Sequence, residues 1–319
     1  MYVTKQNLLS YLRKNLFFAG RVGSFLFCFV LFPTHIFAGL ILDAELRFTY
    51  EDNVVGILSD QRGQVSGSSG GLGPMSLRAL GFSGKGNGQG GYTGSGTGSG
   101  SSSSSGTAPG SSLSPGDFSA TLFAEAGGYF DVGKSSSLFA KGFAEHTAYD
   151  TYTDLDATIG GISVGMSTGF TEILSGGLSI FGKVKRFGDS ARDGNSFGGT
   201  LSLRQKFTPS FWLREFGEYE RNDANDPFFN YDGTRIGASA GYSLTQKTLV
   251  LLGYNYLLRE YDEPAGSNLT AHTAFLSVEY ALGRSWAVAG EYDFQASEDN
   301  IANTIMRDNI YSLSLRYSY

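Results

Sequence analysis

Most of the chain from residue 40 onward alternates between apolar and polar side chains. The last nine residues, YSLSLRYSY (311–319), show this most clearly, because tyrosine or leucine occupies every odd position and serine or arginine every even one. A period of two places the two sets on opposite faces of a β-strand. Twelve segments follow this pattern, at 40–50, 117–131, 136–149, 155–169, 173–187, 196–208, 211–221, 234–244, 248–260, 270–282, 285–297 and 309–319.

The connections between the predicted strands alternate in length. Those after the even-numbered strands are tight, namely VGKSS, FTE, TPS, TQK and GRS, whereas most others are longer and polar, such as RNDANDPFFNYDG. Short periplasmic turns and longer extracellular loops are typical of an outer-membrane barrel, and an even strand count places both termini in the periplasm. The predicted fold class is all-β, a transmembrane up-and-down antiparallel β-barrel of about 12 strands.

Composition favours spanning strands over spanning helices. The chain has 319 residues, a formal charge of −6, 45 glycines and 14% aromatic residues. Beyond its first 38 residues it has no apolar run of the ~20 residues that a spanning helix needs. The mild acidity is spread along the chain and predicts no nucleic-acid partner.

The first 38 residues have the organisation of a secretory signal peptide. Four basic residues precede an apolar core, VGSFLFCFVLF (22–32), and Ala38 offers a small residue for cleavage. An uncleaved anchor is the alternative. Because the only cysteine, Cys28, lies in this segment, the predicted mature barrel, 39–319, holds neither a disulfide nor a cysteine metal site.

Residues 61–116 differ from the rest in composition. The stretch GYTGSGTGSGSSSSSGTAPGSSLSPG cannot bury apolar area, which predicts a disordered Gly/Ser-rich first extracellular loop. The apolar island MSLRALGF (75–82) allows a second interpretation, in which this piece tucks into the lumen or onto the rim.

The signal segment, the up-and-down pattern and the aromatic C-terminus together resemble Gram-negative outer-membrane β-barrels. The stretch RFTYEDNV (47–54) is also similar to the first strand and loop entry of porin-like barrel families. The resemblance implies contact with outer-membrane lipid and lipopolysaccharide. It also implies that the barrel-assembly machinery reads the last strand, with Tyr317 and Tyr319 as the assembly signal. The family pattern usually ends in phenylalanine, so Tyr319 is a departure from it.

Assigning the more polar face of each strand to the interior predicts two charged arcs. The basic arc, on strands 5 to 9, consists of Lys183, Lys185, Arg204, Lys206, Arg235 and Arg259. The acidic arc, on strands 10, 11 and 1 to 3, consists of Glu45, Glu125, Glu145, Glu279, Glu291 and Asp293. In a closed barrel these arcs face each other and set a transverse field across a pore. The alternative is that the charges pair and fill the lumen, an arrangement that inward phenylalanines at 123, 139, 143 and 181 favour.

The leading functional hypothesis is a porin-like passive channel for small hydrophilic solutes, with no cofactor and no enzymatic activity. A structural or adhesive surface barrel with a plugged lumen is the second, and a sheath for an export or electron-transfer partner is the third. The two histidines of the mature chain, His146 and His272, are expected to point outward to the lipid, on strands that are well separated around the barrel. The registers of strands 211–221 and 248–260 stay open, although Glu215 is expected to face outward.

Overall fold

The computed structural model describes residues 39–52, 116–300 and 304–319. Within these ranges the backbone forms one antiparallel sheet that closes on itself, because each strand pairs with its neighbours in the chain and the last pairs with the first. The predicted signal segment 1–38 and almost all of the predicted loop 61–116 lie outside the described residues. The strands are β1 (Gly39–Glu51), β2 (Asp117–Asp131), β3 (Ser136–Tyr149), β4 (Ala157–Gly169), β5 (Leu174–Phe187), β6 (Gly194–Lys206), β7 (Phe211–Ala224), β8 (Tyr231–Ser243), β9 (Thr248–Tyr261), β10 (Asn268–Ala281), β11 (Trp286–Asp299) and β12 (Thr304–Ser318). The predicted twelve-stranded antiparallel barrel is confirmed.

Several strands reach further towards one end of the barrel than the alternation predicts. β12 begins at Thr304 instead of residue 309, and β7 continues to Ala224. Asp299 pairs with Thr304, so the long loop expected between β11 and β12 shortens to residues 300–303. These strand ends extend past the apolar belt of the barrel, where outward side chains need not be apolar. Their backbones still pair, but the sequence no longer alternates between apolar and polar residues, so the alternation does not predict them.

The connections differ at the two ends, as the sequence predicts. Four-residue turns close one end, which we call the short-turn end, and Gly39 and Tyr319 also lie there. The opposite end, which we call the long-loop end, carries the longer connections, apart from the short one at 300–303. Among the described residues, three of these connections contain a single 3₁₀ turn. Two of these turns bury a side chain, Leu155 at 0% and Arg192 at 3% exposure, so the loops pack towards the barrel.

The outer surface of the barrel is an apolar belt. Ile162, Ile180 and Leu201 point away from the interior and are more than 60% exposed. Aromatic pairs flank the belt, with Trp286 against Tyr317 at the short-turn end and Tyr50 against Phe118 at the long-loop end. Apolar side chains between two aromatic girdles match the hydrocarbon core and the two interfaces of a bilayer. In the part of the chain that the structure describes, no helix is long and apolar enough to cross a membrane.

Inside the barrel, aromatic rings lie against glycine residues of the neighbouring strand. A Cβ atom at Gly253 would lie 2.2 Å from the ring of Phe275, and one at Gly241 would lie 2.3 Å from the ring of Trp212. Gly161 receives the ring of Phe143 in the same way. Glycine therefore lets these large rings pack along the wall instead of projecting across the interior.

We expect Gly253→Ala to destabilise the barrel by about 1–3 kcal/mol, the usual cost of overpacking. The added Cβ would overlap the ring of Phe275, which must then leave its place on the wall. Urea unfolding of the barrel refolded in lipid vesicles measures the change. Gly290→Ala is the matched control, because nothing lies within 4 Å of its Cβ position. Equal unfolding midpoints for the two variants would contradict this packing.

Candidate functional site

The interior surface carries the residues of both predicted arcs. In each strand, every second side chain points into the barrel. All six basic-arc residues occupy such inward positions on β5 to β9, and all six acidic-arc residues occupy them on β10, β11 and β1 to β3. Nine of these twelve residues are buried, whereas Glu45 and Arg204 are partly exposed and Lys206 is exposed. The structure thus places each of them on the interior face, in two groups on opposite sides of the barrel.

A buried network organises the basic side near the long-loop end. The carboxylate of Glu220 accepts hydrogen bonds from Lys183 at 3.1 Å and from Lys185 at 2.6 Å. Lys185 also donates to Asn222 at 2.9 Å and to the hydroxyl of Tyr231 at 3.1 Å. The network joins β5, β7 and β8 across the inner surface of β6, where Ser196 leaves room for it. One carboxylate therefore holds two buried ammonium groups.

Two further arginines extend the basic side. Arg235 donates to Glu218 at 2.6 Å, and both groups are buried. Arg259 is 0% exposed, its guanidinium stacks 4.3 Å from the ring centre of Tyr231, and it donates to the hydroxyl of Tyr261 at 3.1 Å. Cation–π stacking on a desolvated arginine compensates part of the hydration that burial removes.

The acidic side contains arginines that bridge its carboxylates. Arg316 donates to Glu45 at 3.1 Å and to Glu279 at 2.8 Å, and Arg47 lies 2.5 Å from Glu45. Glu279 is on β10 and Arg316 on β12, so this contact spans β11, which presents the small side chain of Ala287 opposite Arg316. The bridge thus ties the last strand to the strand two positions away.

The other acidic-arc residues are also buried. Glu125 pairs with Lys141 at 2.9 Å, whereas Glu291 and Asp293 lie within electrostatic range of Arg47. Glu145, on β3, is 7% exposed. Among the described residues, no group of histidine, cysteine, aspartate and glutamate side chains has a geometry that could hold a metal ion.

Charge remains unequal between the two sides after these pairings. On β10 to β3, carboxylates outnumber cations. The buried or half-buried inward groups there include Asp43, Glu45, Glu51, Asp117, Glu125, Glu145, Glu279, Glu291, Asp293 and Asp308 against Arg47, Lys141 and Arg316. On β5 to β9 the excess is basic, and the inward groups are Lys183, Lys185, Arg204, Lys206, Arg214, Arg235 and Arg259 against Glu218 and Glu220. The interior is therefore both paired and polarised, which combines the two alternatives that the sequence leaves open.

Four inward residues whose charge is opposite to that of the arc around them are the partners of arc residues. Arg47, Lys141 and Arg316 each pair with an acidic-arc carboxylate, and Glu218 pairs with a basic-arc arginine. The arcs omit Glu220, which lies near the end of β7. Glu220 is two residues after Glu218 and therefore points to the same face of β7. This spacing could have identified it as an inward residue.

A second charged cluster lies outside the barrel wall at the long-loop end. Arg221 donates to Asp262 at 2.5 Å, to Asp232 at 3.1 Å and to Asp223 at 3.0 Å. The hydrogen bonds from Arg221 lower the pKa of Asp262 below its ordinary value. The cluster links β7 and β8 to the loop between β9 and β10. Because it is exposed, it orders the loop ends more than it stabilises the fold.

Both histidines face outward, as their parity predicts. The Nδ1 atom of His146 lies 2.9 Å from the hydroxyl of Thr158, and that of His272 lies 2.5 Å from the hydroxyl of Tyr254. They sit on β3 and β10, far apart in the order of strands around the barrel. The structure therefore does not bring them into one site.

The C-terminal tyrosines lie at the short-turn end. The ring of Tyr317 packs 5.0 Å from that of Trp286, whereas the side chain of Tyr319 is 66% exposed. The backbone N–H of Tyr319 donates to the carbonyl of Leu42 at 2.9 Å, which extends the closure between β12 and β1 to the last residue.

No protein-family model matches the chain, and no curated protein matches it. Solved structures do. An outer membrane channel from Pseudomonas putida F1 aligns with a TM-score of 0.55 at 7% identity, over 91% of this chain and 100% of that chain. The outer membrane channel DcaP of Acinetobacter baumannii aligns at 0.42 and 9% identity, over 88% and 96% of the chains. The KdgM porin aligns at 0.41 and 11% identity, over 64% and 93%.

These identities are low, so the likeness concerns the fold alone. The alignment with the Pseudomonas putida channel covers nearly the whole chain and agrees with the apolar belt and the closed strand order. The chain therefore has the fold of an outer-membrane β-barrel channel.

Proposed function

We propose that this protein is a porin-like channel of the outer membrane through which small hydrophilic solutes pass passively. The contrast between its two faces carries the proposal. Large aliphatic residues such as Leu201 are exposed on the outside. Every strand, in contrast, contributes at least one polar or charged side chain to the inside. A polar lumen within an apolar wall suits water and hydrophilic solutes.

The energetics of the interior support a role beyond stability. Replacing buried ion pairs by apolar residues of similar volume is often neutral or stabilising. Stability alone therefore does not explain paired side chains such as Lys185 and Arg316 inside the barrel. The retention of paired charges along both sides of the lumen favours a path for polar solutes.

The unequal charge of the two sides suggests how solutes would be selected. Basic residues dominate one side of the lumen and carboxylates the other. The field between two such sides orients dipolar solutes and disfavours apolar ones. Zwitterionic and strongly polar small molecules fit this interior best.

A structural or adhesive barrel with a filled lumen is the second candidate. The observation that favours it is the burial of inward cations, with Lys183 at 2% and Arg259 at 0% exposure. In that case the long-loop end, with its Arg221 cluster, would be the functional surface. A sheath around another component is less well supported, because the paired side chains leave less room than twelve strands alone would allow.

The location follows from the same proposal. We expect residues 1–38 to direct export in a Gram-negative bacterium and to be cleaved. We expect the barrel-assembly machinery to recognise the end of β12 through Tyr317 and Tyr319, and lipopolysaccharide to surround the long-loop end. The aromatic C-terminus and the apolar belt support this part of the proposal.

Swelling of proteoliposomes tests the proposal. Vesicles containing refolded 39–319 are expected to swell in neutral sugars, faster for small sugars than for large ones. Asn255→Trp adds bulk on the inward face of β9 and is expected to slow swelling. Leu252→Trp, on the outward face of the same strand, is the matched control. A heat-modifiable barrel that gives no more swelling than empty vesicles would overturn the channel and favour the second candidate.

A further inference from the structure

Three cations on the basic side form a cluster at the short-turn end. Arg204 on β6 is directly opposite Arg214 on β7, and Lys206 is the last residue of β6. All three have inward parity, and none is fully buried. Within the part of the chain that the structure describes, none of them makes a salt bridge or a side-chain hydrogen bond.

This cluster differs from the rest of the charged interior. Lys183, Lys185 and Arg235 each have a carboxylate partner. Arg204 and Arg214, in contrast, lie within electrostatic range of each other. Like charges directly opposite on neighbouring strands destabilise a sheet. The arrangement is costly without an anion and becomes favourable once an anion lies between the two guanidinium groups.

An apolar surface borders the same cluster. The guanidinium of Arg204 stacks 4.5 Å from the ring centre of Trp212. Trp212 packs with Leu249 and Leu251 of β9, and Phe275 of β10 packs against them. These side chains also face the interior, on the same side of the barrel as the three cations. The cluster therefore offers paired positive charge beside a flat apolar wall.

We propose that Arg204, Arg214 and Lys206, together with the wall around Trp212, bind small aromatic carboxylates inside the lumen. A carboxylate fits the forked donors of an arginine in a bidentate manner, and two facing arginines can share it. The aromatic body of the solute would lie along the wall beside Trp212. The inference rests on the proposed function, because it treats this cluster as a binding site along the path that solutes take through the lumen.

Binding of benzoate to the refolded barrel tests the site without requiring conduction. The chain has two tryptophans, so in a Trp286→Phe background the emission of Trp212 reports on the cluster. Titration with benzoate is expected to give a saturable change, and benzylamine, its cationic counterpart, is expected to give none. Arg214→Gln is expected to weaken benzoate binding roughly tenfold or more, because one charge-assisted hydrogen-bond donor is lost. Lys206→Gln is expected to weaken it less.

Arg186→Gln is the matched control, because Arg186 is an exposed arginine on the outer face of β5. It is expected to leave benzoate binding unchanged. Arg214→Gln is also expected to keep or raise the urea midpoint, since it removes a like-charge contact. A lowered midpoint would assign Arg214 a structural role and overturn the site.

The outcomes separate this inference from the proposed function. Emission that changes linearly with benzoate, or equally in wild type and Arg214→Gln, overturns the binding site even if the barrel conducts. Saturable, arginine-dependent binding in a barrel that does not conduct supports the site and overturns the channel. Quenching by anionic lipid vesicles in place of benzoate would assign the cluster to phosphate headgroups and overturn the aromatic carboxylate.

Discussion

Replacing Glu220 with glutamine is expected to destabilise the folded barrel by about 3–5 kcal/mol, the usual cost of removing one partner from a buried ion pair. Glu220 accepts hydrogen bonds from both Lys183 and Lys185, which are 2% and 3% exposed. The amide that replaces it keeps the volume but removes the negative charge that both ammonium groups contact. Urea unfolding of the barrel in lipid vesicles, followed by tryptophan emission, measures the loss.

The same strand provides the control for this prediction. Glu215 is on β7 but faces outward and is exposed, so Glu215→Gln is expected to change stability by less than about 0.5 kcal/mol. The triple variant Glu220→Gln, Lys183→Met and Lys185→Met is expected to regain most of the lost stability, because no uncompensated charge remains. A Glu220→Gln barrel as stable as Glu215→Gln would show that the network is solvated and would contradict its assignment as a buried pair.

Arg316→Gln has the second-largest expected effect, again about 3–5 kcal/mol. Arg316 donates to Glu45 on β1 and to Glu279 on β10. Its loss therefore removes the cation that Glu279 contacts and one of the two cations that contact Glu45, the other being Arg47. Because β12 is the strand that closes the barrel onto β1, the variant is also expected to refold less completely. Heat-modifiable mobility on gels measures the folded fraction, and urea unfolding measures its stability.

An exposed arginine on the same strand serves as the comparison. Arg307→Gln removes the same charge from the outer face of β12 and is expected to have little effect on either measurement. Adding Glu279→Gln to Arg316→Gln is expected to cost less than the sum of the two single changes, because each removes the other's partner. Strict additivity would show that the 2.8 Å contact between Arg316 and Glu279 contributes nothing to stability.

The strand count and the inward parity of most strands could be read from the sequence because one face of each strand had to be apolar. YSLSLRYSY is the clearest case, and its outward tyrosines and leucines and inward serines and Arg316 lie where the alternation places them. The same alternation places Glu215 and both histidines on the outer face. Each of these predictions concerns a single strand. The apolar–polar alternation within that strand is therefore enough to decide which side chains point outward.

The pairing of the interior could not be read in this way, because it depends on register between strands. Arg316 meets Glu279 only because β11 presents alanine between them. Strand β9 begins with apolar residues on both faces, and only its pairing with β8 and β10 shows that Leu249 and Leu251 point inward. Glu220 lies near the end of the predicted strand, and its contact with Lys183 and Lys185 across β6 depends on the register of three strands, so the sequence alone does not predict it.

Conductance of refolded 39–319 in a planar bilayer tests whether the barrel is a channel. We expect stable single-channel openings under a salt gradient. We also expect the reversal potential to shift towards cation preference when Arg204 and Lys206, the most exposed cations of the basic arc, are changed to glutamine. A barrel that is folded and heat-modifiable but never conducts would contradict the channel, because it would show that the paired side chains close the lumen.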